Sequence, residues 1–183
     1  MLKNLLLRSR KKRGLKRKIS YSKMKNRVSI HERPEEINTR LEYGHFEGDL
    51  FYNSGSQSKN ALTLIERYTR FTIIIINENK RTETVIDALI NYILTYKLFI
   101  RSLTFDNGSE FTDFHKLIAM GIKVYFCDPG SPWQKGSIEN VNGVIRRYMP
   151  FKMPSSSINQ EIASDTADKI NNLPRAILGF KTA

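Results

Sequence analysis

Hydrophobic and polar positions change period several times along the chain, and each change marks an element. His45 to Tyr52, HFEGDLFY, alternates between two sets of side chains, as a strand with two different faces does. Ala61 to Tyr68 and Arg70 to Asn77 are rich in β-branched residues and nearly touch, which predicts a tight antiparallel hairpin. The polar run Asn53 to Lys59, NSGSQSK, supplies the turn before it, so three strands form a meander. In RTETVIDALINYILTYKL the residues Val85, Leu89, Tyr92, Ile93 and Tyr96 recur at helical intervals, with Thr82 placed as N-cap and Glu83 suited to the first turn. A short strand follows at Ile100 to Phe105, then a helix at Asp113 to Met120 ending on Gly121, then a strand at Ile122 to Cys127.

A meander followed by strand, helix and strand predicts an α/β fold. Its sheet is mixed and five-stranded, an antiparallel meander plus crossover-connected parallel strands, flanked by helices. Residues 31 to 45 read as an extended lead-in to that core. Towards the end, Pro129 and Pro132 bar an early helix start, so a helix begins near Gly136 and buries Ile138, Val141, Ile145 and Tyr148. Ser155 to Ser157 form a polar linker. A last helix is expected after a capping box at Ser157 and Gln160, with Ile158, Ile162, Thr166, Ile170 and Leu173 as its stripe and Pro174 as its stop.

Charge divides the chain differently. Residues 1 to 30 hold twelve Lys or Arg and no acid, leaving the rest with as many bases as acids, although the whole carries a net charge of +12. The basic arm 1–30 cannot bury enough apolar surface to order itself, and it is drawn to polyanions by counterion release. Nucleic acid is therefore the leading partner, and residues 31–183, with 151–183 as terminal linker and helix, form the folded body. Leu5 to Leu7 is too short for a secretory signal, and the run Phe71 to Ile76 falls far short of the ~20 residues that span a bilayer, so no membrane is expected. A single cysteine, Cys127, excludes an internal disulfide and a cysteine-built zinc site, which fits a reducing, cytoplasmic setting.

Three acids stand apart from the solvated ones. Asp49 lies within an apolar strand, in alternation with Glu47 and Phe51. Asp106 ends the strand after the first long helix, where open α/β sheets place their sites, although Asp-Asn-Gly is by itself a turn signal. Glu139 is the lone acid in SPWQKGSIENVNGVIRRYM, on a helical stripe with Asn142, Gly143 and Arg146 that runs beside the apolar one, at the margin of the core. An amide, a residue without a side chain and a guanidinium near that acid suit the approach of a phosphate backbone. Carboxylates gathered at one point need a compensating cation. Hard oxygen ligands select Mg²⁺ or Mn²⁺, and two such ions serve phosphodiester cleavage.

The segments GHFEGDL, TFDNGSEF, DPGSPWQKGSIENVNGVIRRYMP and NNLPRAILGFKT resemble the catalytic core of bacterial insertion-sequence transposases of the IS-thirty group. That group lies within the DDE transposase and retroviral integrase superfamily, whose core is ribonuclease-H-like, and the resemblance covers roughly residues 25 to 183. It implies that Asp49, Asp106 and Glu139 form the catalytic, metal-binding triad for Mg²⁺ or Mn²⁺, as two ions. It implies further that Arg146, Asn142, Asn107, Gln134, Lys135 and Arg147 contact DNA, with Gly108, Trp133 and Asn140 at motif positions. The implied reaction frees a 3′-hydroxyl at an element's terminal repeat and joins it to target DNA, with homo-oligomers forming as two ends are paired.

This chain departs from the family pattern at His45, where an acid is usual, and at Phe46, where Trp is usual. It also begins in what would be the connector after a helix-turn-helix region, and ends at Thr182-Ala183 where the family continues. A copy shortened at both ends is the expectation. Two other readings remain open: an inert remnant that only binds DNA or a full-length transposase, and a basic nucleic-acid-binding protein acting through its arm.

Overall fold

The computed structural model describes residues 26–52, 59–77, 82–150 and 153–183. The arm up to residue 25 and all but the last residue of the turn Asn53 to Lys59 lie outside the described residues, as do the side chains of Thr82 and Glu83. One mixed sheet organises what is described. Its strands are β1 (Val28–Ser29), β2 (His45–Tyr52), β3 (Asn60–Glu66), β4 (Thr72–Asn77), β5 (Ser102–Phe105) and β6 (Lys123–Phe126), in the spatial order β1-β6-β5-β2-β3-β4. The meander β2-β3-β4 is antiparallel, whereas β5, β6 and β1 join it in parallel.

The sheet thus carries the five expected strands and a sixth. β1 falls inside the stretch assigned to the basic arm, and its two residues pair with Tyr125 and Phe126. The lead-in expected to be extended is instead a 3₁₀ turn at Ile30–Glu32 and a short helix α1 (Glu35–Thr39). Local capping explains the first: the Ser29 side chain accepts from the backbone of the turn, and Glu32 reaches back to the Ser29 N–H.

Alternation along β2 separates two cores. Phe46 and Leu50 pack with Leu62, Leu64, Leu103 and Phe105 against α2 (Thr82–Tyr96) and α3 (His115–Ala119). Phe51 packs on the opposite face with Ile65 and Ile74 against α4 (Gly136–Tyr148) and α5 (Gln160–Asn171). Asp49 shares the α4 face because it lies two residues from Phe51. Gly48 faces the other way, beneath the Phe105 ring, where an added Cβ would lie 2.3 Å from a ring carbon. Of the two family departures, Phe46 is fully buried and His45 shares a 2.7 Å hydrogen bond with Ser102 Oγ.

Two helix expectations shift by a residue or two. In α4 the buried stripe is Ile138, Val141 and Ile145, but Met149 completes it while Tyr148 stands exposed, because the helix ends at Tyr148 and the chain turns inward. The N-cap of α5 is Asn159, whose side chain accepts from Ile162 N, rather than Ser157, and Ala163 and Ala167 are buried where Leu173 was expected to be. Gln160 is consequently free for another task. Its amide accepts from Ile76 N and donates to Ile74 O, while the Asn171 amide exchanges both bonds with the backbone of Thr72. Eleven residues apart, three helical turns, these two amides act as surrogate strand partners for the outer edge of β4.

Candidate active site

Register brings the first two acids together. β2 and β5 run in parallel with Glu47 opposite Thr104, and carrying that register two residues on sets Asp49 beside Asp106, just past the carboxyl end of β5. The loop after β5 then fixes Asp106, whose Oδ1 accepts from Gly108 N at 2.9 Å. Asp49 is fixed from α4: Asn142 Nδ2 donates to its Oδ2 at 2.7 Å.

A cation already joins the pair. Lys135 Nζ, buried at the entry to α4, lies 2.8 Å from Asp49 Oδ1 and 3.1 Å from Asp106 Oδ2, and donates also to Gly48 O. Burial alone would lower the Lys135 ammonium, yet the Asp106 and Asp49 carboxylates outweigh it and hold the proton more firmly than in an ordinary lysine. Asp49 responds oppositely. Burial raises its carboxyl above the usual range, Lys135 offsets this incompletely, and Asp106 adds to the rise. One ammonium serving two carboxylates leaves the pair short of positive charge.

Glu139 faces the same cleft from the first turn of α4, exposed rather than at the core margin. The cleft holds about 700 Å³, and Arg27, Asn107, Cys127, Gly143 and Arg146 line it with the three acids. No group of three His, Cys, Asp or Glu side chains among the described residues is gathered closely enough to cage an ion. The structure therefore brings Asp49 and Asp106 into one cluster and places Glu139 elsewhere on the lining of the same cleft. All-oxygen donors, a buried carboxyl driven up by desolvation and a lysine standing between two acids fit a hard divalent cation.

The remaining expected contacts separate. Arg146 lines the cleft with its guanidinium 4.7 Å above the Phe51 ring. Asn107 spends its side chain on Cys127 O and on Arg27. Gln134 closes a loop by bonding both the backbone N and a carboxylate oxygen of Asp128, which lowers the Asp128 carboxyl together with a bond to His31. Arg147 is exposed and lies outside the cleft lining, and Trp133 is 72% exposed. Along the sequence Glu47 is only one member of an alternation. It is buried, accepts from Ile138 N at 3.3 Å to satisfy the start of α4, and lies 3.4 Å from Arg67 Nε.

Comparison with known proteins converges on one family. A family profile described as the integrase core domain matches residues 40–132. The transposase InsI of insertion sequence element IS30A from Escherichia coli (strain K12) is 42% identical over 159 residues, 86% of this chain and 41% of that protein. The transposase of insertion sequence element IS1086 from Cupriavidus metallidurans is 38% identical over 155 residues, 84% of this chain and 45% of that protein. This chain spans less than half the length of these curated relatives. Among solved structures, the HTLV-2 integrase catalytic core domain in complex with magnesium superposes with a TM-score of 0.57 at 14% identity, covering 75% of this chain and 91% of that one. A simian T-cell lymphotropic virus intasome in complex with PP2A regulatory subunit B56 gamma gives a TM-score of 0.61 at 16% identity, covering 75% and 51%. At such identities the likeness speaks for the fold, which is ribonuclease-H-like. With the profile spanning half of its residues, the chain belongs to the integrase core domain family and resembles, within it, the IS30-type transposases.

Proposed function

We propose that this chain is the catalytic core of a DNA transposase that cuts a phosphodiester at an element's terminal repeat and transfers the freed 3′-hydroxyl to target DNA. The observation that carries the reading is the Asp49 and Asp106 pair, short of positive charge, at the end of a parallel strand in an integrase core. Both reactions are in-line displacements at phosphorus. In the first, a water oxygen bonds to phosphorus as the bond to the 3′-oxygen breaks, and the water's proton ends on that oxygen. In the second, the oxygen of that 3′-hydroxyl bonds to a target phosphorus as the bond to the target strand's 3′-oxygen breaks, and the hydroxyl's proton ends on the departing oxygen.

Asp49 and Asp106 would hold a divalent cation, Mg²⁺ or Mn²⁺, with Glu139 as the third carboxylate and with room in the reading for two ions. Such an ion supplies Lewis-acid stabilisation of charge building on the phosphoryl oxygens. The chain's own residues do the rest. Asn142 and the Gly108 N–H hold the two carboxylates in place. Arg146 and Arg27 present guanidinium groups to a backbone phosphate at the cleft, and Gly143 leaves space for it. Lys135 is assigned here as the resident counter-ion of the acids rather than as a DNA contact. Pairing two ends by homo-oligomers, on DNA in the cytoplasm, belongs to the same reading. Among the described residues no helix is long and apolar enough to cross a membrane.

Incubation with DNA carrying IS30-type terminal repeats and Mn²⁺ tests it. Strand cleavage or joining that falls about 10³-fold in Asp106→Asn is expected, equivalent to several kcal/mol of lost transition-state stabilisation. Cleavage indifferent to that substitution would overturn the reading.

A further inference from the structure

On the far side of α4 lies a second pocket, of about 610 Å³. Ile65, Val141, Val144 and Ile170 give it apolar walls, and three arginines, Arg40, Arg70 and Arg175, line it with no carboxylate among the lining residues. Arg70 is the most telling of them. It is 6% exposed, donates from Nη1 to Ser137 Oγ at 2.7 Å, and has no acceptor at Nε. None of the three arginines forms an ion pair with a described carboxylate. A guanidinium buried as Arg70 is ordinarily paired, and with two half-buried arginines beside it the pocket calls for an anion from outside.

Backbone conformation points the same way. Arg40 and Arg70 both adopt positive φ, 59° and 65°, in turns where glycine would sit at lower cost. Around them the internal acids are already committed. Glu66 accepts from the backbone of Gly44, Tyr68 and Thr69, and Glu47 serves Arg67 and the start of α4. Burial lowers the Arg70 guanidinium most, Arg40 and Arg175 lower it further by repulsion, and Glu47 and Glu66 offset this incompletely; Arg67 is lowered to about 10 by burial first and then by Arg33, with Glu47 opposing.

We propose that this pocket binds a phosphate oxyanion between Arg40, Arg70 and Arg175, beside the positive end of α4. Two sources offer that group: inorganic phosphate, and the phosphodiester of a nucleic-acid strand. The site stands apart from the carboxylate chemistry, so either reading survives failure of the other.

Thermal unfolding of the full chain, with inorganic phosphate against chloride at matched ionic strength, tests the proposal. Phosphate at a hundredfold over its Kd should raise Tm by about 5–10 °C. The rise should persist in Asp106→Asn, whose side chain lies in the other cleft. It should shrink, with at least a tenfold weaker Kd by titration calorimetry, in Arg40→Gln and in Arg175→Gln. These two are only half-buried and are expected to fold; Arg70→Lys gives a third reading. No phosphate-specific rise, or a rise unchanged in both glutamine variants, would overturn the site. A single-stranded oligonucleotide then identifies the source. If the salt dependence of its binding loses about 0.7 per arginine removed, the phosphate is the strand's. If that slope is unchanged while phosphate binding is lost, the ligand of this site is free phosphate.

Discussion

The two pockets flanking α4 are of similar size and opposite chemistry. One pairs Asp49 and Asp106 on Lys135, with Glu139, Arg27 and Arg146 elsewhere on its lining; the other gathers three arginines with no acid in its lining. A thirteen-residue helix separates them, and Glu47 lies beneath it, tied to Ile138 N and to Arg67. Each pocket thus falls short of counter-charge in a sense that the other would supply, yet the apolar row Ile138, Val141 and Ile145 keeps the two apart. Unbalanced charge inside a fold is costly unless a ligand completes it. Such pockets therefore mark where ligands of opposite sign are to be expected.

Removing the strut should have the largest effect on stability. Glu47→Ala strips Arg67 of its carboxylate and the start of α4 of an acceptor, for a loss of about 3–5 kcal/mol. In urea unfolding this should appear as a clear fall in midpoint, and the Tm rise given by phosphate should grow, because the arginines lose an internal counter-charge.

Lys135→Met should cost less, about 1–2 kcal/mol without divalent ions, because Asp49 and Asp106 remain partly solvated. The sign with pH follows from Asp49, whose folded pKa is raised: its charged form costs stability above that pKa. The deficit should therefore be relieved as pH falls through the folded pKa, and be gone below the unfolded value of about 3.9. Mg²⁺ should also raise Tm more in this variant than in the parent chain. Equal Mg²⁺ responses would remove the idea that lysine and metal occupy the same charge deficit.

Arg146→Gln against Arg147→Gln separates cleft from surface. The first should lower the salt dependence of DNA binding by about one, and the second, outside the lining, should leave it nearly unchanged.

The smallest effect concerns Cys127, whose thiol burial pushes up to about 11. Thiol-specific labelling at pH 8 should be slow in the folded chain and fast in urea. Its folded pKa lies above the unfolded value, so its contribution to stability is lost as pH rises from about 9 through 11.

Much of this layout was legible in the sequence because periodicity reports burial. The bounds of β2 match the alternation of HFEGDLFY, and α4 begins at Gly136 as expected, although Pro132 opens a 3₁₀ turn, Pro132–Lys135, that leads straight into it. Asp49 and Asp106 were legible as special because an acid in an apolar strand and an acid at a strand's end are both unusual. Other features leave no periodic trace. β1 is two residues long, and its pairing with β6 depends on tertiary contact alone. Lys135 reads as one more base among DNA-facing bases, since only the parallel register shows two carboxylates converging on its ammonium. The arginine pocket is assembled from residues 40, 70 and 175, which nothing local connects.

Gln160 and Asn171 bear on how copies of this chain can assemble. By occupying the backbone groups of Thr72, Ile74 and Ile76, they close the β4 side of the sheet to a strand from another molecule. The opposite side ends in the two residues of β1. A change such as Asn171→Ala would bare the backbone groups of Thr72 at that edge and give a strand from a second copy a place to add, with open-ended, fibre-like growth as the hazard.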